Sequence, residues 1–118
     1  MLFARRRLRS HGERGTATVL SCEYRSKWTS NELRDFDYVL RVQPAAGQPF
    51  EAKVRDKFWI VGLRPKEGDE DVPVCFDAAT HETVFGEFGG DPRYDADALN
   101  AQTKARREEV RALRDRLQ

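Results

Sequence analysis

Phe36-Asp37-Tyr38-Val39-Leu40-Arg41-Val42 places Phe36, Tyr38, Leu40 and Val42 at a spacing of two, with Asp37 and Arg41 beside Val39 on the other face. A strand turns successive side chains to opposite faces, so this pattern predicts a strand with one apolar side and one charged side. Pro44-Ala45-Ala46-Gly47-Gln48 then supplies turn chemistry. After it, Phe50, Ala52 and Val54 restart the alternation opposite Glu51, Lys53 and Arg55. The two strands are expected to form an antiparallel hairpin.

The same period extends outward from the hairpin. Gly15–Tyr24 alternates small or β-branched residues as a first strand, and the polar Ser26–Glu32 stretch around Trp28 reads as a loop. On the other side, Phe58-Trp59-Ile60-Val61-Gly62-Leu63 is an apolar run that a period of two does not explain. A buried strand end, a bulge or a helical turn would each fit it. Val72, Val74 and Phe76 alternate with Pro73, Cys75 and Asp77 as a fourth strand, and Thr83–Phe88 makes a fifth. Proline has no amide hydrogen to give to a ladder, so Pro73 argues for an edge position or an incompletely closed barrel.

From about Asp95 the period becomes helical. Leu99, Thr103, Arg106, Val110, Leu113 and Leu117 recur at alternating steps of four and three, a thin stripe that suits the barrel, a second copy in a coiled coil, or a partner. The candidate contact residues are Leu99, Val110, Leu113 and Leu117. Asp95 or Asp97 can cap this helix. At the other end, Leu2–Ser10 is rich in helix formers and stops before Gly12. The expected fold is mainly β: a small five-stranded SH3-like or OB-like barrel with a C-terminal α-helix and a short N-terminal basic arm. Residues 1–14 form the arm or short helix, 15–88 the barrel, 89–94 a linker and 95–118 the amphipathic helix.

With 118 residues and 39% hydrophobic content, the chain can build one modest core. Its net charge of +1 conceals 21 Lys and Arg against 20 Asp and Glu. Residues 1–14 hold Arg5, Arg6, Arg7, Arg9 and Arg14 against Glu13 alone, whereas residues 15–94 hold ten basic and fourteen acidic side chains. A basic arm is thus attached to an acidic barrel, and simple attraction between the two is one reading. No stretch reaches the roughly 20 apolar residues of a membrane span, and Met1–Phe3 is too short for the core of a secretion signal. The expected location is cytoplasmic, peripheral to the inner membrane where the arm binds lipid. Cys22 and Cys75 read as buried thiols on separate strands, with a barrel-stapling disulfide as the other option.

Catalytic chemistry finds little support. His11 and His81 are the only histidines, and neither has a second ligand at metal spacing. Asp69-Glu70-Asp71 lacks the ligand spacing and glycine of a calcium loop and reads as a solvated turn. Asp35 and Asp37 share one strand face, where two carboxylates could act as acid and base or simply keep the surface soluble. His81 approaching Cys75 would be needed for a nucleophilic site. No catalytic residue, metal ligand or cofactor is therefore assigned.

Binding features are better represented. Tyr24, Arg25, Lys27 and Trp28, followed by Lys57, Phe58 and Trp59, interleave cations and rings that could stack bases and hold phosphates. The net acidity of the barrel disfavours nucleic acid as the ligand. Arg5, Arg6, Arg7 and Arg9 follow Met1-Leu2-Phe3, a combination suited to weak association with anionic membrane.

Phe3-Ala-Arg-Arg-Arg-Leu-Arg-Ser-His-Gly, Gly15-Thr-Ala-Thr-Val-Leu, Tyr38-Val-Leu-Arg-Val, Pro49-Phe-Glu-Ala-Lys-Val, Pro65-Lys-Glu-Gly-Asp and Val72-Pro-Val-Cys-Phe-Asp together resemble a small β-barrel module of uncharacterised actinobacterial proteins. The resemblance covers roughly residues 3–88. It implies a barrel fold and a non-enzymatic habit, in soluble proteins and, in related families, in modules tethered to membrane helices. It carries no catalytic residue to any position here. The expectation is a non-enzymatic interaction module with a protein partner or self-association, and single-stranded nucleic-acid binding is the alternative.

Overall fold

The computed structural model describes residues 2–24 and 33–118. The loop expected over Ser26–Glu32, with the candidate residues Arg25, Lys27 and Trp28, lies outside the described residues. The elements are α1 (Leu2–His11), β1 (Glu13–Tyr24), β2 (Leu33–Pro44), β3 (Phe50–Trp59), β4 (Val72–Phe76), β5 (Thr83–Phe85) and α2 (Ala96–Leu117). Two compact units result, Met1–Glu87 with the sheet and Phe88–Gln118 with α2.

In the first unit the strands follow the order β3-β2-β1-β4-β5, and every paired neighbour is antiparallel. The β1–β2–β3 meander with β4 returning beside β1 is a Greek key. β5 then comes against β3 and nearly closes the ring. Of the two expected barrels, this partly open five-stranded Greek key is the OB-like one.

The hairpin register sets Tyr38 opposite Val54, Leu40 opposite Ala52 and Val42 opposite Phe50. The period-two face therefore becomes the core. Phe36, Tyr38, Leu40 and Val42 are buried with Val19 of β1, Val72 and Val74 of β4 and Phe85 of β5. Burying one such side chain contributes about 1.5–3 kcal/mol. Between Val19 and Ser21 the β1–β2 register slips, and the bulge leaves Leu20 exposed. Val19 instead exchanges backbone hydrogen bonds with the β3–β4 connection: its amide donates to Asp69 O (2.9 Å), and the Gly68 amide donates to its carbonyl (2.8 Å).

Pro73 is not on an edge strand, because β4 lies between β1 and β5. The proline is accommodated because the β4–β5 ladder covers only Val74–Phe76. Just beyond it, Pro73 O accepts from the Gly86 amide (2.8 Å), and a Cβ on Gly86 would sit 3.3 Å from Pro73 Cβ. Glycine permits that close approach.

In the second unit, Phe88 and Tyr94 pack their rings 4.8 Å apart. Asp95 is the N-cap of α2: Oδ1 accepts from the amides of Asp97 (3.0 Å) and Ala98 (3.4 Å), and Oδ2 from Gly90 (2.9 Å). Two of the helix's orphan amides are thereby satisfied. None of the 22 residues of α2 is buried.

Candidate interaction surfaces

The basic arm is a helix fastened to the barrel. Leu8 is buried against Cys75 and Val84, which are register partners on β4 and β5. Arg5 donates to the Arg55 carbonyl (2.7 Å) and pairs with Asp56 (3.4 Å) on β3, whereas Arg9 Nε donates to the Phe85 carbonyl (3.1 Å) on β5. β3 and β5 are the two ends of the sheet order, so α1 ties together the strands at the seam of the barrel. Arg7 faces a groove of about 740 Å³ lined also by His11, Glu13, Asp77 and Glu82, while the Arg6 side chain lies outside the described set. Two of the candidate cations thus serve the arm's own attachment.

One wall of that groove is a turn held by Asp77. Asp77 Oδ1 accepts from the amides of Ala79 (2.8 Å) and Thr80 (3.1 Å). These bonds, Thr80's first, hold its carboxyl below the usual carboxylate range, with Arg7 adding a smaller attraction. His81 stacks on Phe50 with ring centroids 3.9 Å apart and adopts a φ of 62°. Cys75 belongs to a different cluster, with Leu8 and Val84. Cys75 is thus buried, whereas His81 is exposed with one ring face on Phe50.

On the outward face of β2 and β3 the charges answer one another across the ladder. Asp35 lies opposite Lys57, Asp37 opposite Arg55 and Arg41 opposite Glu51. Arg55 Nε donates to Asp37 Oδ1 at 2.8 Å. Cross-strand opposite charges stabilise a sheet by a few tenths of a kcal/mol each, and exposed pairs are worth little more. The carboxylates of Asp35 and Asp37 therefore belong to a charge ladder. Among the described residues, no group of three His, Cys, Asp or Glu side chains could hold a metal ion.

The unexpected surface is apolar. Tyr24, at the end of β1, and Trp59, at the end of β3, lie at the same end of the sheet and are 59% and 55% exposed, but the register puts Tyr24 on the face of Phe36 and Trp59 on the opposite face, with Leu33. The run divides: Phe58 and Trp59 end β3, with the Phe58 ring half-buried against Phe36, Tyr38 and Phe85, whereas Ile60-Val61-Gly62 turns in the open, with Val61 82% exposed, and Leu63 adds further apolar surface. Local bonds hold the turn, the Gly62 amide donating to Trp59 O (3.0 Å) and Arg64 Nη1 to Ile60 O (2.7 Å). The Arg64 guanidinium also lies 4.6 Å over the Phe36 ring. Beneath, rings connect this end to the core: Tyr24 to Phe36 (6.0 Å), Phe36 to Tyr38 (6.3 Å) and Tyr38 to Phe85 (4.9 Å).

Sequence reasoning included Tyr24 among the candidates and assigned Trp59 to an apolar run, but missed Ile60, Val61 and Leu63. The available signal was aperiodicity itself, an apolar run interrupted by Gly62 and followed closely by Pro65. Leu99, Val110, Leu113 and Leu117 all remain exposed on α2. Among the described residues no helix is long and apolar enough to cross a membrane. No family model, curated protein or solved structure matches the chain.

Proposed function

We propose that the protein is a non-enzymatic interaction module that engages a protein partner through the apolar end of its barrel. The observation that carries this reading is the run Trp59–Leu63, whose four apolar side chains stand at least 38% exposed on a turn fixed by its own hydrogen bonds. Isolated exposed apolar residues are ordinary, but a contiguous set marks a surface that is covered in use. A Trp beside aliphatic residues, with Lys57 two positions before it on β3, has the aromatic and aliphatic composition of an interface centre. The same surface also suits peripheral attachment at the inner membrane face, where indole rings and cations favour the headgroup region.

The test is a Trp59→Ser, Val61→Asp double variant compared with the parent in pull-down and in cosedimentation with anionic vesicles. Capture of the partner, or sedimentation, is expected to fall at least about tenfold with the barrel still folded, because the altered side chains are exposed. Binding unchanged by the variant would overturn the assignment. Single-stranded nucleic-acid binding is the second reading, favoured by the OB-like strand order and the exposed Tyr24 and Trp59 rings. Salt-dependent retention of single-stranded oligonucleotides, lost in the same variant, would decide for it.

A further inference from the structure

We propose that α2 is a dimerisation helix, pairing in parallel with α2 of a second copy of this chain. The proposal is independent of the apolar end of the barrel. At 1.5 Å per residue the 22-residue helix is about 33 Å long, and it buries none of its residues. In proteins most helical stability comes from packing of an apolar face, and here that face is left uncovered. Leu99, Val110, Leu113 and Leu117 are 37%, 50%, 52% and 89% exposed, and they fall on one seam.

The heptad register follows from the steps between seam residues. Leu99, Arg106 and Leu113 take d positions; Thr103, Val110 and Leu117 take a positions. At the one complete apolar layer pair, Val110 at a with Leu113 at d is the combination that favours two strands in a parallel coiled coil. One flanking charge pair favours the parallel arrangement. Glu109 falls at g and Arg114 at the e position of the next heptad. In a parallel pair in register, each Glu109 meets Arg114 of the second copy, so the attraction occurs twice. An antiparallel pair aligned over all six seam layers would instead bring Arg107 towards Arg107 and Glu109 towards Glu109 at its centre. The second copy is thus recognised both by its apolar stripe and by its charges.

Arg106 is the one charged seam residue. Within the single chain its Nη1 lies 3.5 Å from Glu109, and both side chains are largely exposed. In the parallel dimer it faces its own equivalent, which weakens the pair and makes assembly dependent on concentration. The consequence for binding is bivalence: two barrels on one particle gain avidity for any partner presented in repeated copies, without a new contact.

Sedimentation equilibrium of the full chain tests the proposal. The parent is expected to show a monomer–dimer equilibrium below about 1 mM. Arg106→Leu should tighten it by about tenfold or more, the effect of replacing a seam charge by the residue preferred there. Val110→Ser with Leu113→Ser should abolish it. Arg114→Glu should weaken it at low salt, and adding Glu109→Arg to that variant should restore it. Thermal melts of the variants monitored in the near-ultraviolet establish that the barrel remains folded. A parent that stays monomeric, a dimer indifferent to the Val110 and Leu113 changes, or a charge swap that fails to restore pairing would each overturn the proposal.

Discussion

Tyr38 shows how one side chain serves packing and hydrogen bonding together. Its ring meets Phe36, Phe58 and Phe85, and its hydroxyl donates to the Pro65 carbonyl at 2.9 Å, holding the β3–β4 connection over the barrel. Burial, and next a hydrogen bond with Cys22, push the phenol far above its usual value. A proton held more tightly in the folded state contributes stability that is complete below the unfolded pKa, near 10, and is lost as pH rises towards the folded value. Unfolding should therefore become easier above about pH 10, because the unfolded chain can ionise where the folded one cannot. Tyr38→Phe removes the ionisation together with the bond to Pro65. The variant is expected to be less stable at neutral pH by about 1–3 kcal/mol, since a buried carbonyl loses its donor. Its stability should then decline less between pH 9 and 11 than that of the parent. A parallel decline in both proteins, measured by denaturant titration at each pH, would show that another group governs alkaline unfolding. The role of Tyr38 in the core was legible from its place between Phe36 and Leu40. Its bond to Pro65 was not, because the two residues lie 27 positions apart.

At the scale of elements, the structure follows the sequence wherever a local rule decides. The β2–β3 hairpin has the expected face because a one-residue slip would turn every apolar residue of the strand to solvent. The start of α2 was equally legible, since a capping carboxylate needs only its own next few amides. Backbone hydrogen bonds, from Gly90 first and then Ala98, hold the Asp95 carboxyl below the usual carboxylate range. A depressed pKa means that this stabilisation is present above the unfolded value, near 4, and is lost as pH falls through the lower folded value. Far-ultraviolet circular dichroism of the parent should accordingly show α2 fraying at strongly acidic pH. Asp95→Ala should reduce helicity already at neutral pH and flatten that acid dependence. An unchanged spectrum would mean that the cap contributes nothing to the helix. Trp59–Leu63 escaped the same reasoning for a physical reason. Hydrophobicity states what a side chain gains from leaving water but not which surface removes it, so an exposed apolar turn reads like a piece of core.

At the scale of the whole molecule, a nearly closed sheet leaves two strands without a partner on one side, and such edges are open to pairing with another chain. α1 answers that problem here. Arg5 takes a carbonyl of β3, Arg9 takes a carbonyl of β5, and Leu8 covers Cys75 and Val84 on the outer side of β4 and β5. The segment charges made attraction between arm and barrel readable in advance. They could not say that the seam was the docking place, because which strands end the sheet follows from the β4–β1 pairing. Cys75 reports on this closure, for it is only 6% exposed with α1 in place. Arg9 and Arg14 line a groove beside it, so cover by α1, and not distance from cations, is what would keep the thiol from reacting. In a Cys22→Ser background, Leu8→Asp should detach α1, since a carboxylate cannot be held unpaired against Cys75 and Val84. The expected result is a stability loss of about 2 kcal/mol or more. Labelling of Cys75 by a polar alkylating reagent should be at least about tenfold faster, because the opened state becomes more populated. Self-association through the exposed edges is expected to follow. If both melting temperature and labelling rate remained those of the Leu8 protein, the barrel would be closed by its strands alone and α1 would be free to serve another surface.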